Sequence, residues 1–343
     1  MSSLALYRKY RPATFAEIIG QEAVVKVLQG SIGQENIAHA YLLAGTRGTG
    51  KTSIARIFAK EIGCSPNDLY EIDGASNRGI DEIRELREAV RTMPFDSPYK
   101  VYIIDEVHML TKDAFNALLK TLEEPPAHVI FILATTELHK VLDTIISRCQ
   151  SLTFQTPSLE DLKIFIERVA KGEKIKVDGE AAELLALMAD GSFRDAAGKL
   201  QQVLSATPGS KEITLSEVES VTGAPPALLV DNFIASILDQ DTETGFQTIE
   251  SLVKNNGNPQ VFLKLVLKNL RLILLSRLAP ELAQGMMSSF GPEVRGKIEQ
   301  YAHHERSSAL SQILKELLAT YDELGKACLP QLPLELALVR LCA

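Results

Sequence analysis

"AGTRGTGKTSIARIFAK", residues 44–60, sets three glycines around a lysine and then turns strongly helical. From Gly45 to Thr52 it fits G-x-x-x-x-G-K-[ST], in the setting that pattern needs: the apolar, strand-like "AYLLA" precedes it and "TSIARIFAKEI" continues as a helix. Small residues let the backbone wrap a polyphosphate, whose charge is met by oriented N–H groups and by the positive end of the helix. Contacts are expected from Gly45, Thr46, Gly48, Thr49, Gly50, Lys51, Thr52 and Ser53, with Lys51 reaching the β- and γ-phosphates and the Thr52 hydroxyl ligating Mg²⁺. The alternative is a glycine-rich turn that binds nothing.

Triphosphate chemistry also needs an acidic residue at the end of a hydrophobic strand, and "KVYIIDEVHML" (100–110) supplies two. Asp105 would hold the magnesium through its water shell, and Glu106 sits where a carboxylate can orient or deprotonate an attacking water. Adjacent carboxylates can instead cap the next helix, "TKDAFNALLKTLEE", but the loop upstream favours the catalytic reading.

The surroundings of these motifs are α/β. Up to residue 155, strand-like runs ("AYLLAG", "LYEID", "VYIIDEV", "VIFILATT", "SLTFQ") alternate with amphipathic stretches, which predicts a mostly parallel sheet with helices on both faces. From "TPSLEDLKIFIERVAKGEKI" onward apolar residues recur at helical spacing and no strand is expected. Pro225 and Pro226, after Gly223, punctuate this helical part. The expected domains are therefore 1–155, nucleotide-binding; 156–222, a small helical domain; and 224–343, a leucine-rich helical domain whose least regular connection is "APELAQGMMSSFGPE" (279–293).

At 343 residues the chain exceeds one ordinary core. Its longest apolar run, "VFLKLVLKNLRLILL" (261–275), is broken by Lys264, Lys268 and Arg271 and cannot span a bilayer; with no secretory signal, the cytoplasm is the expected compartment. A net charge of −8 argues against a protein that coats nucleic acid through bulk basicity. Cys64, Cys149, Cys328 and Cys342 are scattered and suggest neither a disulfide framework nor a zinc site.

Taken together, "YRKYRPATFAEIIGQE", "HAYLLAGTRGTGKTSIARIFAK", "EIDGASNRGIDEIRELRE", "VYIIDEVHMLTKDAFNALLKTLEEPP", "LATTE", "SRC" and "GSFRDA" resemble the gamma/tau subunits of bacterial DNA polymerase III, clamp-loader motors among the AAA+ ATPases. The resemblance is dense from about residue 5 to 222 and weaker beyond. It implies a P-loop AAA+ domain, a helical lid and a helical collar that joins subunits.

The resemblance also implies residue roles. Thr136 becomes the sensor of the γ-phosphate or attacking water; Arg148 in "SRC" the arginine finger that completes a neighbouring subunit's site; Arg194 in "GSFRDA" the lid arginine acting in its own site. A finger contributes a factor of ~10³ to 10⁵ in rate, so efficient hydrolysis becomes a property of the assembly. Tyr7, Ile18 and Ile19 would offer apolar contacts to adenine, although core packing explains them as well. Arg78 and Arg84 are candidate phosphate contacts to DNA, with an ordinary i,i+4 helix pair the alternative for Arg84.

The implied ligands are ATP and Mg²⁺; the implied partners are delta, delta-prime and further gamma copies, the sliding clamp and primer-template DNA, with no membrane. One departure stands out. Chains of this family usually carry a four-cysteine zinc module where this one has only Cys64 followed by "SPNDLY", so no zinc site is expected. The proline-rich tethering region of long tau forms is not among these residues. The rival readings are another DNA-acting AAA+ motor such as a Holliday-junction helicase, a non-hydrolysing structural subunit of the delta-prime type, and a nucleotide-dependent adaptor.

Overall fold

A computed structural model describes residues 4–77, 79–287 and 292–342, the side chains at 80–82, 84, 292 and 293 excepted. The chain divides into two compact units, Met1–Val169 with Ala189–Gly198, and Ala170–Met188 with Lys199–Ala343.

The first unit is built on a parallel sheet of β1 (Ala40–Ala44), β2 (Leu69–Asp73), β3 (Lys100–Asp105), β4 (Val129–Thr135) and β5 (Gln150–Thr153), in the order β2-β3-β4-β1-β5. Its central strands are buried on both faces, which is why they read as continuous apolar runs rather than as alternation. Alternate residues still separate by face. Tyr41, Leu43, Val101, Ile103, Ile130 and Ile132 pack on one side, where α2 (Glu22–Gly33) and α3 (Lys51–Glu61) bring Leu28, Ile54 and Phe58. Leu42, Tyr102, Ile104, Phe131 and Leu133 pack on the other with Ile83 of α4 (Ile80–Val90) and Phe115 and Leu118 of α5 (Lys112–Glu123). Each large side chain buried here contributes about 1.5–3 kcal/mol. The short α1 (Leu6–Lys9) and α6 (Asp143–Ile146), and α7 (Leu159–Gly172), complete the helices before residue 173.

The second unit carries α8 (Gly179–Met188), most of α9 (Phe193–Ala206), α10 (Leu215–Thr222), α11 (Ala227–Asp239), α12 (Thr242–Lys254), α13 (Pro259–Leu278), α14 (Pro280–Met286), α15 (Pro292–Ala302), α16 (Leu310–Leu324) and α17 (Leu332–Cys342). Phe233, Phe262, Leu263, Leu270, Ile313 and Leu338 anchor its largest core. A Thr214–Glu217 capping box starts α10, left-handed Gly223 ends it, and α11 begins directly after Pro226. Two expectations are corrected. A parallel ribbon of two-residue strands, β6 (Lys176–Val177) and β7 (Glu212–Ile213), lies in the helical part; it is too short to leave a periodic signal. Part of the irregular stretch 279–293 is helical, since Pro280 occupies the first turn of α14, where its missing N–H costs nothing.

No single helix among the described residues is long and apolar enough to cross a membrane. In α13, started by Pro259 and an Asn258 side-chain cap, Lys268 pairs with Glu183 at 2.7 Å.

Candidate active site

Chemistry-bearing residues gather at the carboxyl ends of β1, β3 and β4. After β1 the chain enters the glycine loop, where Gly48 (φ 79°) and Gly50 (φ 100°) adopt left-handed conformations that side chains resist. At Gly48 space is decisive as well, because a Cβ there would lie 2.0 Å from Ser192 Oγ; Gly48 O also accepts from Phe193 N at 3.0 Å. Thr49, buried, donates to Thr46 O at 2.9 Å and fixes the loop's curvature. Gly50 then caps α3, so Lys51, Thr52 and Ser53 lie in its first turn, at the positive end of the helix dipole.

Lys51 is 6% exposed, and its ammonium donates to Gly45 O at 2.7 Å and Thr46 O at 2.9 Å. Burial lowers its pKa, and Arg194 pushes the same way, while Glu106 and Asp105 oppose both. A buried cation flanked by a second cation is a setting that an anion stabilises.

The Thr52 hydroxyl donates to Asp105 Oδ2 at 2.8 Å, and Asp105 Oδ1 accepts from Glu106 N at 3.0 Å. Glu106 itself is left-handed (φ 48°). Gly74 packs against this turn: its N–H donates to Asp105 O at 2.7 Å, and a Cβ there would meet Glu106 O at 2.7 Å. The Glu106 carboxylate reaches the residue after β4, where Oε2 accepts from Thr136 Oγ1 at 2.9 Å and from Thr136 N at 3.3 Å.

These groups open on a cleft of about 410 Å³. Tyr7, Ile18, Ile19, Phe165 and Phe193 also line it; the two phenylalanines meet edge-on with centroids 5.2 Å apart. The Ile18–Ile19 wall is tied down by Gln21, whose buried amide exchanges hydrogen bonds with Gln155 O (2.7 Å) and N (3.1 Å). The Arg194 guanidinium lies 5.9 Å from the Tyr7 ring centroid, within cation–π range.

Most of the residues singled out in the sequence thus come together. Gly45 and Thr46 contribute carbonyls behind the loop, and Thr136 acts on Glu106 without lining the cleft. Arg148 lies apart from the cleft, with Nη2 on Glu123 Oε1 at 2.7 Å and Nη1 on Thr144 O at 2.7 Å. Arg78 and the Arg84 side chain fall outside the described residues. Sequence reasoning did not single out Asp73, Phe165, Phe193, Arg47 or His108. Asp73 had a signal, since "EID" ends a strand that pairs in register with Asp105. Phe165 and Phe193 fit helical periodicity and read as core.

A five-stranded parallel sheet with this loop after its β1 and paired carboxylates after its β3 is an AAA+ P-loop domain. The Thermotoga maritima RuvB Holliday junction branch migration motor shares the fold, with TM-score 0.53 and 25% identity over 68% of this chain and 80% of that one. Residues 20–79 and 67–158 match the model of the DNA polymerase III delta subunit, and residues 213–343 that of domain III of the gamma and tau subunits. The chain is 37% identical to DNA polymerase III subunit tau of Bacillus subtilis over 363 residues, covering all of this chain and 64% of that protein. Against the gamma/tau subunit of Mycobacterium bovis it is 34% identical over 361 residues, 98% of this chain and 62% of that one. The chain belongs to the family of DNA polymerase III gamma/tau subunits. It spans less than two thirds of the length of these curated relatives.

Proposed function

We propose that this chain is the ATP-hydrolysing motor subunit of a sliding-clamp loader, which opens the processivity clamp and places it on primed DNA. The observation that carries this reading is the unbroken hydrogen-bonded path Thr52–Asp105–Glu106–Thr136 beside buried Lys51, which joins the first turn of α3 to the ends of β3 and β4 at the cleft that Lys51, Thr52, Asp105 and Glu106 line.

The residues present suit both ligands. Lys51 and the N–H groups of the loop bind the β- and γ-phosphates, and Tyr7, Ile18, Ile19, Phe165 and Phe193 enclose the base. Thr52 and Asp105, already 2.8 Å apart, offer the hard oxygen donors that Mg²⁺ takes. When bound, that ion neutralises charge on the phosphate oxygens. Glu106 accepts a proton from water as the water oxygen attacks the γ-phosphorus; the bond to the β-phosphate oxygen breaks, giving ADP and inorganic phosphate. Thr136 holds Glu106 in place, and Arg194 closes on the phosphates from the lid.

Arg148, apart from its own cleft, completes a neighbour's site. The proposed division of labour is nucleotide binding in 1–155, a lid in 156–222 and a collar in 224–343. Delta, delta-prime and further copies of this chain are the proposed cytoplasmic partners, with Arg78 and Arg84 on the DNA backbone.

The match of residues 20–158 to a delta-subunit model favours a second reading, a structural subunit that does not hydrolyse. Intact Lys51, Thr52, Asp105 and Glu106 argue against it. The deciding experiment is steady-state hydrolysis by the chain reconstituted with delta and delta-prime, with and without clamp and primed DNA. Stimulation by clamp and DNA supports the motor; an occupied site that never turns over supports the structural subunit.

A further inference from the structure

We propose that His108 is a positioning residue that sets the orientation of Glu106 through its Nδ1 atom. The inference rests on the hydrolytic reading of Glu106 given above.

His108 follows the DE pair in a 3₁₀ turn and its side chain is only 4% exposed. Its hydrogen bonds can be assigned from the donors around it. Thr135 Oγ1 accepts from Glu137 N at 3.0 Å, and among the described residues its own proton has no acceptor other than His108 Nδ1, 2.9 Å away. Nδ1 is then the acceptor and Nε2 carries the ring proton, directed at Glu137 Oε1 at 3.3 Å. Glu137 is kept an ionised acceptor by Lys140, at 2.7 Å.

This tautomer has a consequence for Glu106. The Nδ1 lone pair stands 3.4 Å from Glu106 Oε2, the same oxygen that Thr136 holds with two donors. The Thr136 donors attract that oxygen and the lone pair of the buried imidazole repels it, so the two residues together set how the carboxylate is turned. Oε1 makes no hydrogen bond among the described residues and is the oxygen left to take a proton. Among the described residues the charged groups paired with the ring are Glu106 and Glu137, both in this network, and Lys140 and His139 act on it through Glu137. Removing Nδ1 loosens the base without touching the phosphate loop.

The test uses the reconstituted loader, with turnover and fluorescent-nucleotide affinity measured separately for H108N, H108Q and H108A. Asparagine places an amide near Nδ1 and glutamine near Nε2. The expected result is nucleotide affinity within about 2-fold of wild type throughout, kcat lowered about 10-fold or more in H108A and H108Q, and most of it recovered in H108N. In an E106Q background H108A should add nothing. Equal rates for H108N and H108Q, or an independent loss on top of E106Q, would overturn the proposal. Wild-type turnover in E106Q alone would remove the hydrolytic reading, and the proposal with it.

Discussion

The Thr52 hydroxyl and the Asp105 carboxylate meet at 2.8 Å, joining the first turn of α3 to the last residue of β3. The atoms of this hydrogen bond to a carboxylate are the ones a magnesium ion would claim. Thr52→Val is expected to cost the fold about 1–3 kcal/mol. Calorimetric nucleotide affinity in Mg²⁺ should fall about 10-fold or more, whereas in chelator the variant and wild type should bind alike. An unchanged Mg²⁺-dependent affinity would remove Thr52 from the metal site.

Gly48→Ala combines two penalties, a left-handed backbone and a Cβ 2.0 Å from Ser192 Oγ. The backbone alone costs about 1–2 kcal/mol. Chemical denaturation of Gly48→Ala, Ser192→Gly and the double variant separates the two: Ser192→Gly alone measures the loss of the Oγ that accepts from Asp195 N at 3.2 Å, and the coupling between the changes reports the clash. Additive costs would mean that the clash with Ser192 is unimportant.

Arg148→Ala removes an ion pair whose partners are 34% and 49% exposed. Such pairs contribute about 0–1 kcal/mol, so the melting curve should barely move. Turnover of the assembled complex should fall ~10³-fold or more, with ATP binding retained. Basal activity indifferent to this change would leave an ATPase whose sites are complete within one chain.

Asp68 offers a pH test far from the cleft. Buried, it accepts from Phe95 N, Asp96 N, Ser97 N, and the Ser97 and Ser65 hydroxyls. Burial is the largest single influence and would raise its pKa, but the combined hydrogen bonds prevail and hold it well below the usual carboxylate range. A folded value below the unfolded one, about 3.9, means the contribution is complete above that pH and is lost as pH falls through it toward the folded value. Asp68→Asn should cost about 1–3 kcal/mol at pH 7 and flatten the stability curve below about pH 5, read by urea denaturation across pH.

Arg306 ties two helix ends in the second unit: Nη1 donates to Ile237 O of α11 at 2.6 Å and Nη2 to Leu341 O of α17 at 2.5 Å. Removing a charged donor from buried carbonyls is expected to cost about 3 kcal/mol in Arg306→Ala, with partial recovery in Arg306→Lys, which cannot span both carbonyls. Amide exchange should quicken at the carboxyl ends of α11 and α17 together. Quickening at only one would show that the fork does not couple them.

The sheet was legible because its central strands β1, β3 and β4 are apolar runs bounded by turn residues, and the loop because glycine spacing survives without knowledge of neighbours. Other features were hidden for physical reasons. The Lys176–Val177 ribbon is too short for period-two alternation, and its partner lies more than thirty positions away. Phe165 and Phe193 satisfy a helical stripe whether they face core or cleft, so only the fold separates the two. His108 sits in "DEVHML", next to the residues that drew attention, yet its contacts come from Thr135, the last residue of β4, and Glu137 just beyond it, which sequence order does not bring near.

The pairing of β1 has a consequence for how the chain is made. β1 ends at Ala44, yet its partners are β4, beginning at Val129, and β5, ending at Thr153. During synthesis at roughly 5–20 residues per second, the strand that carries the loop leaves the ribosome and waits several seconds, apolar on both faces, before either neighbour exists. Fragments ending before residue 153 should accordingly associate with one another or with chaperones rather than fold. Any nucleotide present would find no finished loop to stabilise until that late strand arrives.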